Sequence, residues 1–345
     1  MKVSVIVVNW NRRELLRACL KSLASQIRPE FEIIVVDNGS ADGSVEMIER
    51  EYPAVCVIRN SENCGFCKAN NQGIQSSSAE FIALLNNDAE AEPGWLEALL
   101  RAFEDRPGFG MAASKILVWE NPALIDKAGH LIYPDGQNRG RGSGELDRGQ
   151  YDREEEALWP DGCAAMYRRE MLTAIGGFDE DLFAYADDAE LGLRARIAGW
   201  RCLYVPSAVV RHHRGATLGL GSGRRLELIE RNRVLLAAKL FPWSLLWLNV
   251  PYYLARIASG LWEAARGRGD AAAHYPGFRG KLTMAAALVR GDCQALRLLP
   301  RVMRKRREIG RLRKLSPKQV RELILGNRIS LQELNSQTTA SRNNA

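Results

Sequence analysis

The chain has 345 residues, 46% of them hydrophobic, with seven cysteines and a formal net charge of +7. That length holds one large domain with a smaller appendage, and the composition supports a sizeable core rather than a disordered or fibrous chain. Seven scattered cysteines exclude a disulfide framework, and the basic excess is confined to one end, since residues 251–345 carry 19 Lys and Arg against 6 Asp and Glu.

Lys2 precedes a six-residue, largely apolar run, Val3–Val8, that stops at Asn9. A secretory leader needs an apolar core of about 7–15 residues, so this run is expected to be a buried strand and the protein cytoplasmic. Arg12–Ala24 is predicted helical, with Leu15, Leu16, Cys19, Leu20 and Leu23 on one face. Phe31–Val36 is a second strand ending at Asp37, followed by a helix over Gly43–Glu51 and a short strand over Val55–Ile58. Phe66–Gln75 is a helix, and Phe81–Leu85 a fourth strand that ends at Asn86-Asn87-Asp88. Pro93 stands where the next helix would begin, and Trp95–Phe103 continues it. Strands alternating with helices predict an α/β fold with a parallel sheet in this half, covered by helices on both faces. Ligands of such sheets bind outside the carboxyl ends of the strands, where Asn9, Trp10, Asp37 and Asp88 fall.

Beyond Phe109 the pattern shortens into brief strands up to about Tyr133, and the Gly-, Arg- and acid-rich stretch 134–156 reads as a surface loop. Residues 168–199 read as helical, broken at Gly176-Gly177 and Asp179, before a strand over Arg201–Val210 with a break at Pro206. A glycine-rich loop, Leu218–Gly223, leads into a helix over Arg224–Leu240. A first domain is therefore expected over 1–223, in two halves that divide at about 110. A helical, basic tail over 224–333 and a disordered end over 334–345 would follow.

Several of these positions carry chemistry. Asp37 at a strand end suits a nucleobase N–H or ribose hydroxyl, or alternatively an Asx-turn opening the next helix. Asp88 follows an apolar strand and lies too early to cap the Pro93 helix, which favours a ligand to Mg²⁺ or Mn²⁺, cations that take oxygen donors and substrate phosphates. Asp187, Asp188 and Glu190 crowd three carboxylates at a helix start. The helix dipole explains one or two of them, while like-charge repulsion raises at least one pKa and makes a general base. His212 and His213 end a strand, and one of the two can complete a metal shell. Gly219, Gly221 and Gly223 ahead of Arg224 and Arg225 read as a mobile lid with phosphate-reaching arginines. The lone pair Cys64-x-x-Cys67 has no second pair to make a zinc site.

Taken in order, these segments resemble family 2 glycosyltransferases of the GT-A fold, near their rhamnosyltransferase-like branch. The resemblance is carried by Val3–Asn11, by Val35-Val36-Asp37-Asn38-Gly39-Ser40, and by Asn63-Cys64-Gly65-Phe66-Cys67-Lys68-Ala69-Asn70-Asn71. It continues through Leu84–Asp88, Gly176-Gly177-Phe178-Asp179-Glu180, the 183–191 cluster and His212-x-x-Gly215-x-Thr217. It implies a Rossmann-like mixed sheet and an inverting transfer of sugar, best matched to dTDP-rhamnose, from a nucleoside-diphosphate (dTDP- or UDP-sugar) donor. It further implies Asp188 as catalytic base and Asn9, Trp10, Asp37, Asn63, Asn70 and Asn87 around the donor. Asp88 and His212 would hold the divalent cation, and Asp161, Asp187, His213 and Arg224 would lie toward acceptor or phosphate. Two departures stand out: the usual Asp-x-Asp appears as Asn86-Asn87-Asp88, with a single carboxylate, and the usual Glu-Asp as Asp187-Asp188.

Residues 244–262 reach the ~20 needed to span a bilayer, but Arg256 near their centre and Pro251 argue against a span. With Trp243, Trp247, Tyr252, Tyr253 and Trp262 they suit a helix lying in the membrane plane, or one packed on the domain. The following basic run, Arg301 to Lys314, suits anionic lipid headgroups; no nucleic-acid motif accompanies it. A lipid-linked glycan acceptor at the inner face of the cytoplasmic membrane would explain both features. Competing readings are a nucleotidyltransferase and a non-catalytic, membrane-associated sugar-nucleotide-binding protein. A dehydrogenase is excluded, since no G-x-G-x-x-G follows the first strand.

Overall fold

The computed structural model describes residues 2–26, 29–215, 219, 221–266 and 269–335. Thr217, residues 218 and 220 of the expected 218–223 loop and residues 336–345 of the expected disordered end lie outside these.

The first hundred residues fold as the alternation predicts. Strands β1 (Val3–Asn9), β2 (Phe31–Asp37), β3 (Cys56–Arg59) and β4 (Phe81–Leu85) alternate with helices α1 (Arg13–Ala24), α2 (Ser44–Glu51) and α3 (Phe66–Ser76). β1 pairs in parallel with β2 and β4, and β2 with β3. Leu16, Cys19, Leu20 and Leu23 of α1 are buried on the sheet, the face that the 3.6-residue period picks out. A three-residue strand, β5 (Ala89–Ala91), and helix α4 (Trp95–Arg101) complete this half.

The second half adds β6 (Phe109–Val118), β7 (Asn121–Lys127), β8 (His130–Ile132), β9 (Asn138–Gly140), β10 (Glu155–Ala157), β11 (Ala164–Arg168) and β12 (Arg201–His212), with α5 (Arg169–Ile175) and α6 (Asp187–Ile197). Among the described residues the main sheet runs β10-β12-β6-β11-β4-β1-β2-β3. It is mixed, because β11 enters antiparallel between β4 and β6. The parallel expectation, made for the first four strands, holds there, and β6 and β12 also pair in parallel. The register of β12 shifts between Val205 and Val209, around Pro206, whose missing N–H cannot join the ladder.

The stretch 134–156 is not simply a surface loop. Asp135 and Gly136 are buried at its start, β9 and β10 lie within or beside it, and Asp135 is held by the guanidinium of Arg256 at 2.6 Å. Seven helices follow β12: α7 (Gly223–Leu240), α8 (Trp243–Leu246), α9 (Asn249–Ala265), α10 (Gly269–His274), α11 (Gly277–Leu312), α12 (Pro317–Gly326) and α13 (Leu331–Asn335), among the described residues. They share a core with what precedes them. Leu236, Leu240 and Phe241 of α7, Ile309 of α11 and Ile324 of α12 form one apolar cluster with Trp159 and Leu193. Lys239 also reaches Asp179 and Glu190, each at 2.6 Å. α9 and the short α13 are exceptions, with no buried residue.

Candidate active site

A cavity of about 1110 Å³ opens beside the carboxyl ends of the strands, where an α/β sheet is expected to bind its ligand. Its polar end is lined by Trp10, Asn38, Asn63, Asn86, Asn87 and Asp88. Three residues expected around the donor stand behind this wall, because their polar atoms are already taken. Asn9 donates to Asp37 Oδ2 at 2.9 Å and accepts from Asn87 Nδ2 at 2.7 Å. Asp37, 2% exposed, also accepts from the Ser40 N–H at 2.8 Å. Asn70 donates to the Phe66 carbonyl one helical turn back, at 2.9 Å. These residues tie β1, β2 and β4 together and brace the wall rather than form it.

Asp88 and His212 meet at the cavity, with Asp88 Oδ1 3.5 Å from His212 Nε2. The other ring nitrogen, Nδ1, lies 2.8 Å from Asp126 Oδ2, and Arg214 Nε lies 2.8 Å from Asp126 Oδ1. Asp126 is fully buried, which alone would raise its pKa. Lys127 and Arg214, with His212, outweigh burial and hold it at about 2. Asp88 Oδ1 is buried and has no hydrogen-bond partner. A buried carboxylate oxygen left without a donor is costly unless something fills the role. Together with an imidazole oriented by a carboxylate, it fits a divalent cation. His213 does not reach the cavity: it stacks on Trp119 at 4.2 Å, 3.7 Å from Glu90. Arg224 pairs with Glu227 instead, and its neighbour Arg225 faces the cavity.

Asp187 and Asp188, in the first turn of α6, also line the cavity. The third carboxylate, Glu190, is fully buried and neutralised by Arg194 at 2.8 Å and Lys239 at 2.6 Å, so the expected crowding involves two groups rather than three. Burial, and then the charge of Asp188, push Asp187 up to about 8. Burial also raises Asp188, although His130 opposes it. His130 Nε2 lies 3.3 Å from Asp188 and 2.7 Å from Asp161, and Lys127 Nζ reaches Asp161 at 2.5 Å. Burial would raise Asp161, yet Lys127 and His130 hold it well below the ordinary carboxylate range. His130, Asp161 and Asp188 bring three ligand atoms within 4.8 Å of one another. Because Lys127 already supplies a cation there, the group serves better to fix and tune Asp188 than to hold a metal.

A carboxyl that is favoured protonated in the folded state loses stability as it ionises. Asp187 therefore costs stability progressively between its ordinary value of 3.8 and about 8. Asp187→Asn is expected to raise the melting temperature by roughly 2–4 °C per kcal/mol regained. The gain should be absent near pH 4 and full near pH 8; a gain independent of pH in thermal denaturation would contradict it.

The segment entering α6 is strained. Phe183, Tyr185 and Ala186 have φ of 64°, 70° and 55°, a region that residues with a Cβ seldom adopt. α7 holds them there. Asn232 Nδ2 lies 2.9, 2.8 and 2.8 Å from the carbonyls of Leu182, Ala184 and Tyr185, and Arg231 donates to that of Leu182 at 2.7 Å. Gly65 is needed opposite, since a Cβ there would sit 2.5 Å from the Phe183 ring. Asn232→Ala is expected to strand buried carbonyls at about 1–3 kcal/mol. It should lower turnover about tenfold or more by letting Asp187 and Asp188 drift; unchanged kinetics in a folded variant would refute the clamp.

Lys127, His130, Asp126 and Arg214 were missed by the sequence reading. The spacing Asp126-Lys127-x-x-His130 was a usable sign, with one of only four histidines beside two charges in an otherwise apolar stretch.

Residues 4–176 match the family model described as "Glycosyl transferase family 2". Over 236 residues the chain is 27% identical to the N-acetylglucosaminyl-diphospho-decaprenol L-rhamnosyltransferase of Mycobacterium tuberculosis, covering 62% of this chain and 77% of that one. Among solved structures it resembles GalNAc-T7 with UDP, GalNAc and Mn²⁺, at 17% identity and a TM-score of 0.57, over 69% of this chain and 48% of that one. It also resembles mannosyltransferase PcManGT from Pyrobaculum calidifontis in complex with GDP-Man and Mn²⁺, at 20% identity and a TM-score of 0.53, over 86% and 87%. At these identities the structural likeness speaks for the fold, which is GT-A.

Proposed function

The chain belongs to glycosyl transferase family 2, and from that premise we propose that it is an inverting enzyme moving a sugar, rhamnose from dTDP-rhamnose by preference, onto a hydroxyl of a lipid-linked glycan. The observation that carries this reading is that one cavity is lined both by Asp88 with His212, 3.5 Å apart, and by Asp188. Asn63, Asn87 and Trp10 receive the nucleoside diphosphate at the polar end, and Asp188 takes the proton from the acceptor hydroxyl. Attack from the side opposite the leaving diphosphate inverts the anomeric centre. Mg²⁺ or Mn²⁺ bound by Asp88 and His212 would supply positive charge to the departing diphosphate. The lipid-linked acceptor is supported by the printed activity of the mycobacterial relative. The test is a thermal-shift screen of dTDP, UDP and GDP sugars with Mg²⁺ or Mn²⁺, followed by transfer assays. A metal-dependent shift for one nucleotide sugar is expected, and none for any would refute the reading.

No helix of the described residues is long and apolar enough to cross a membrane. α8 and α9 instead expose Trp243, Trp247, Val250, Leu254 and Trp262, and Arg306 and Arg266 stack on two of those tryptophans. We take this face to rest on the cytoplasmic surface of the membrane, where such rings and cations are favoured. Replacing Trp247, Val250 and Leu254 together by Ser is expected to weaken sedimentation with anionic vesicles about a thousandfold or more, at about 1.5–3 kcal/mol per side chain withdrawn. The melting temperature should hold, and vesicle binding equal to that of the unaltered protein would rule this face out.

A further inference from the structure

The cavity continues past the carboxylates into an apolar end that the transfer chemistry does not use. There Ile257, Gly260 and Leu261 of α9 and Met284 and Leu288 of α11 form its walls. The Tyr253 hydroxyl donates to Asp292 Oδ2 at 3.1 Å and ties the two helices near one end. Both helices also carry uncovered apolar stripes outward. Val250, Leu254 and Leu261 on α9, and Leu282, Val289 and Leu296 on α11, are each 58–63% exposed. The last three recur every seven residues, so they share one side of α11. At about 1110 Å³ the cavity stands at the upper end of what one small ligand fills, leaving room for part of a second.

A sugar acceptor dissolved in water gains nothing from such a wall, because burying hydroxyls against leucine and isoleucine without partners is costly. An occupant that is polar at the carboxylates and apolar at α9 and α11 satisfies both ends. Arg225 lies with its guanidinium 5.5 Å from the Tyr185 ring and faces the same cavity, a cation for an anionic joint between the two parts. Arg233 and Arg256 also line it, but they are paired with Glu230 and Asp135.

We propose that the groove between α9 and α11 binds the polyisoprenoid chain of a lipid-diphosphate acceptor, which slides in sideways from the membrane with its diphosphate at Arg225. This rests on the lipid-linked acceptor reading above. The test uses the full chain, phosphatidylglycerol–phosphatidylcholine vesicles and a benzophenone-tagged geranylgeranyl diphosphate, with crosslinks mapped by mass spectrometry. Labelling is expected within Ile257–Leu261 and Met284–Leu288. Met284→Trp, by filling the groove at about 1–3 kcal/mol, should lower that labelling about tenfold. Sedimentation with vesicles should remain that of the unaltered protein. Leu288→Trp, one turn along, is the second variant, and both are checked for an unaltered melting temperature. Labels confined to the outer stripe of Leu282, Val289 and Leu296, or labelling indifferent to both variants, would overturn the groove. Donor binding is measured in parallel. A chain that binds a nucleotide sugar but is not labelled in the groove loses only this proposal, whereas groove labelling without any donor binding counts against the transferase reading instead.

Discussion

Asp188→Asn is expected to lower turnover by about 10²–10⁴-fold, the usual contribution of a general base, while the nucleoside diphosphate still binds. The side chain is nearly isosteric, and it keeps an oxygen to accept the Ala189 N–H, which Asp188 Oδ1 now takes at 2.7 Å. What is lost is the only function that demands a charge at this position. Asp188 faces the cavity at the first turn of α6, with His130 at 3.3 Å and the paired Asp161 and Lys127 behind it. Burial raises its pKa, so its basic form is scarcer at low pH but stronger when present. The rate should therefore climb with pH beyond the ordinary carboxylate range. Asp187→Asn replaces a carboxyl held protonated up to about 8, so it should leave that climb in place. Single-turnover transfer and calorimetric titration with dTDP separate the two effects. Full turnover by Asp188→Asn would move the base to Asp187 or dispense with it.

The sequence disclosed the positions of strand ends better than the direction in which their side chains point. Asp37 and Asn9 stand at strand ends as expected, yet parallel pairing sets them side by side and they bond to one another. Asp88, three residues beyond the end of a strand of five buried residues, is left to face the cavity. Period-two and period-3.6 patterns report burial within one element and say nothing of partners far along the chain. The pairs His212–Asp126, 86 residues apart, and Lys127–Asp161, 34 apart, were hidden for that reason. The reading of Arg256 shows the same limit. Along the chain it is a charge in an apolar segment, costly in a membrane. In the fold it is bound by Asp135 and Glu230, and the apolar residues of α9 around it remain uncovered. Asn232 gave no sign at all, because a clamp on three carbonyls depends on a loop that only the folded chain brings near.

Asp88→Ala is expected to abolish metal stimulation of transfer and to cost about 10²-fold or more in turnover, since several kcal/mol of leaving-group stabilisation go with the cation. The chain has one carboxylate where its resemblance leads one to expect two, Asn86-Asn87-Asp88, so no neighbour in that motif can take over. Asn87 is committed to Asn9 at 2.7 Å. The compensation lies beside Asp88, in His212, whose ring is fixed by Asp126 at 2.8 Å and which presents Nε2 toward that carboxylate. Asp126→Asn should therefore weaken metal affinity by about 10–100-fold, as loss of a group that orients a ligand does, and leave Asp88 in place. Mn²⁺ titrations of transfer and of dTDP binding measure both. If Asp88→Ala kept its response to Mn²⁺ while His130→Ala lost it, the cation would belong to His130, Asp161 and Asp188. Lys127, now 2.5 Å from Asp161, would then have to yield its place. The energetic ordering runs the other way. Displacing Lys127 breaks an established ion pair with Asp161, whereas Asp88 Oδ1, 3.5 Å from the His212 ring, has no hydrogen-bond partner to lose among the described residues.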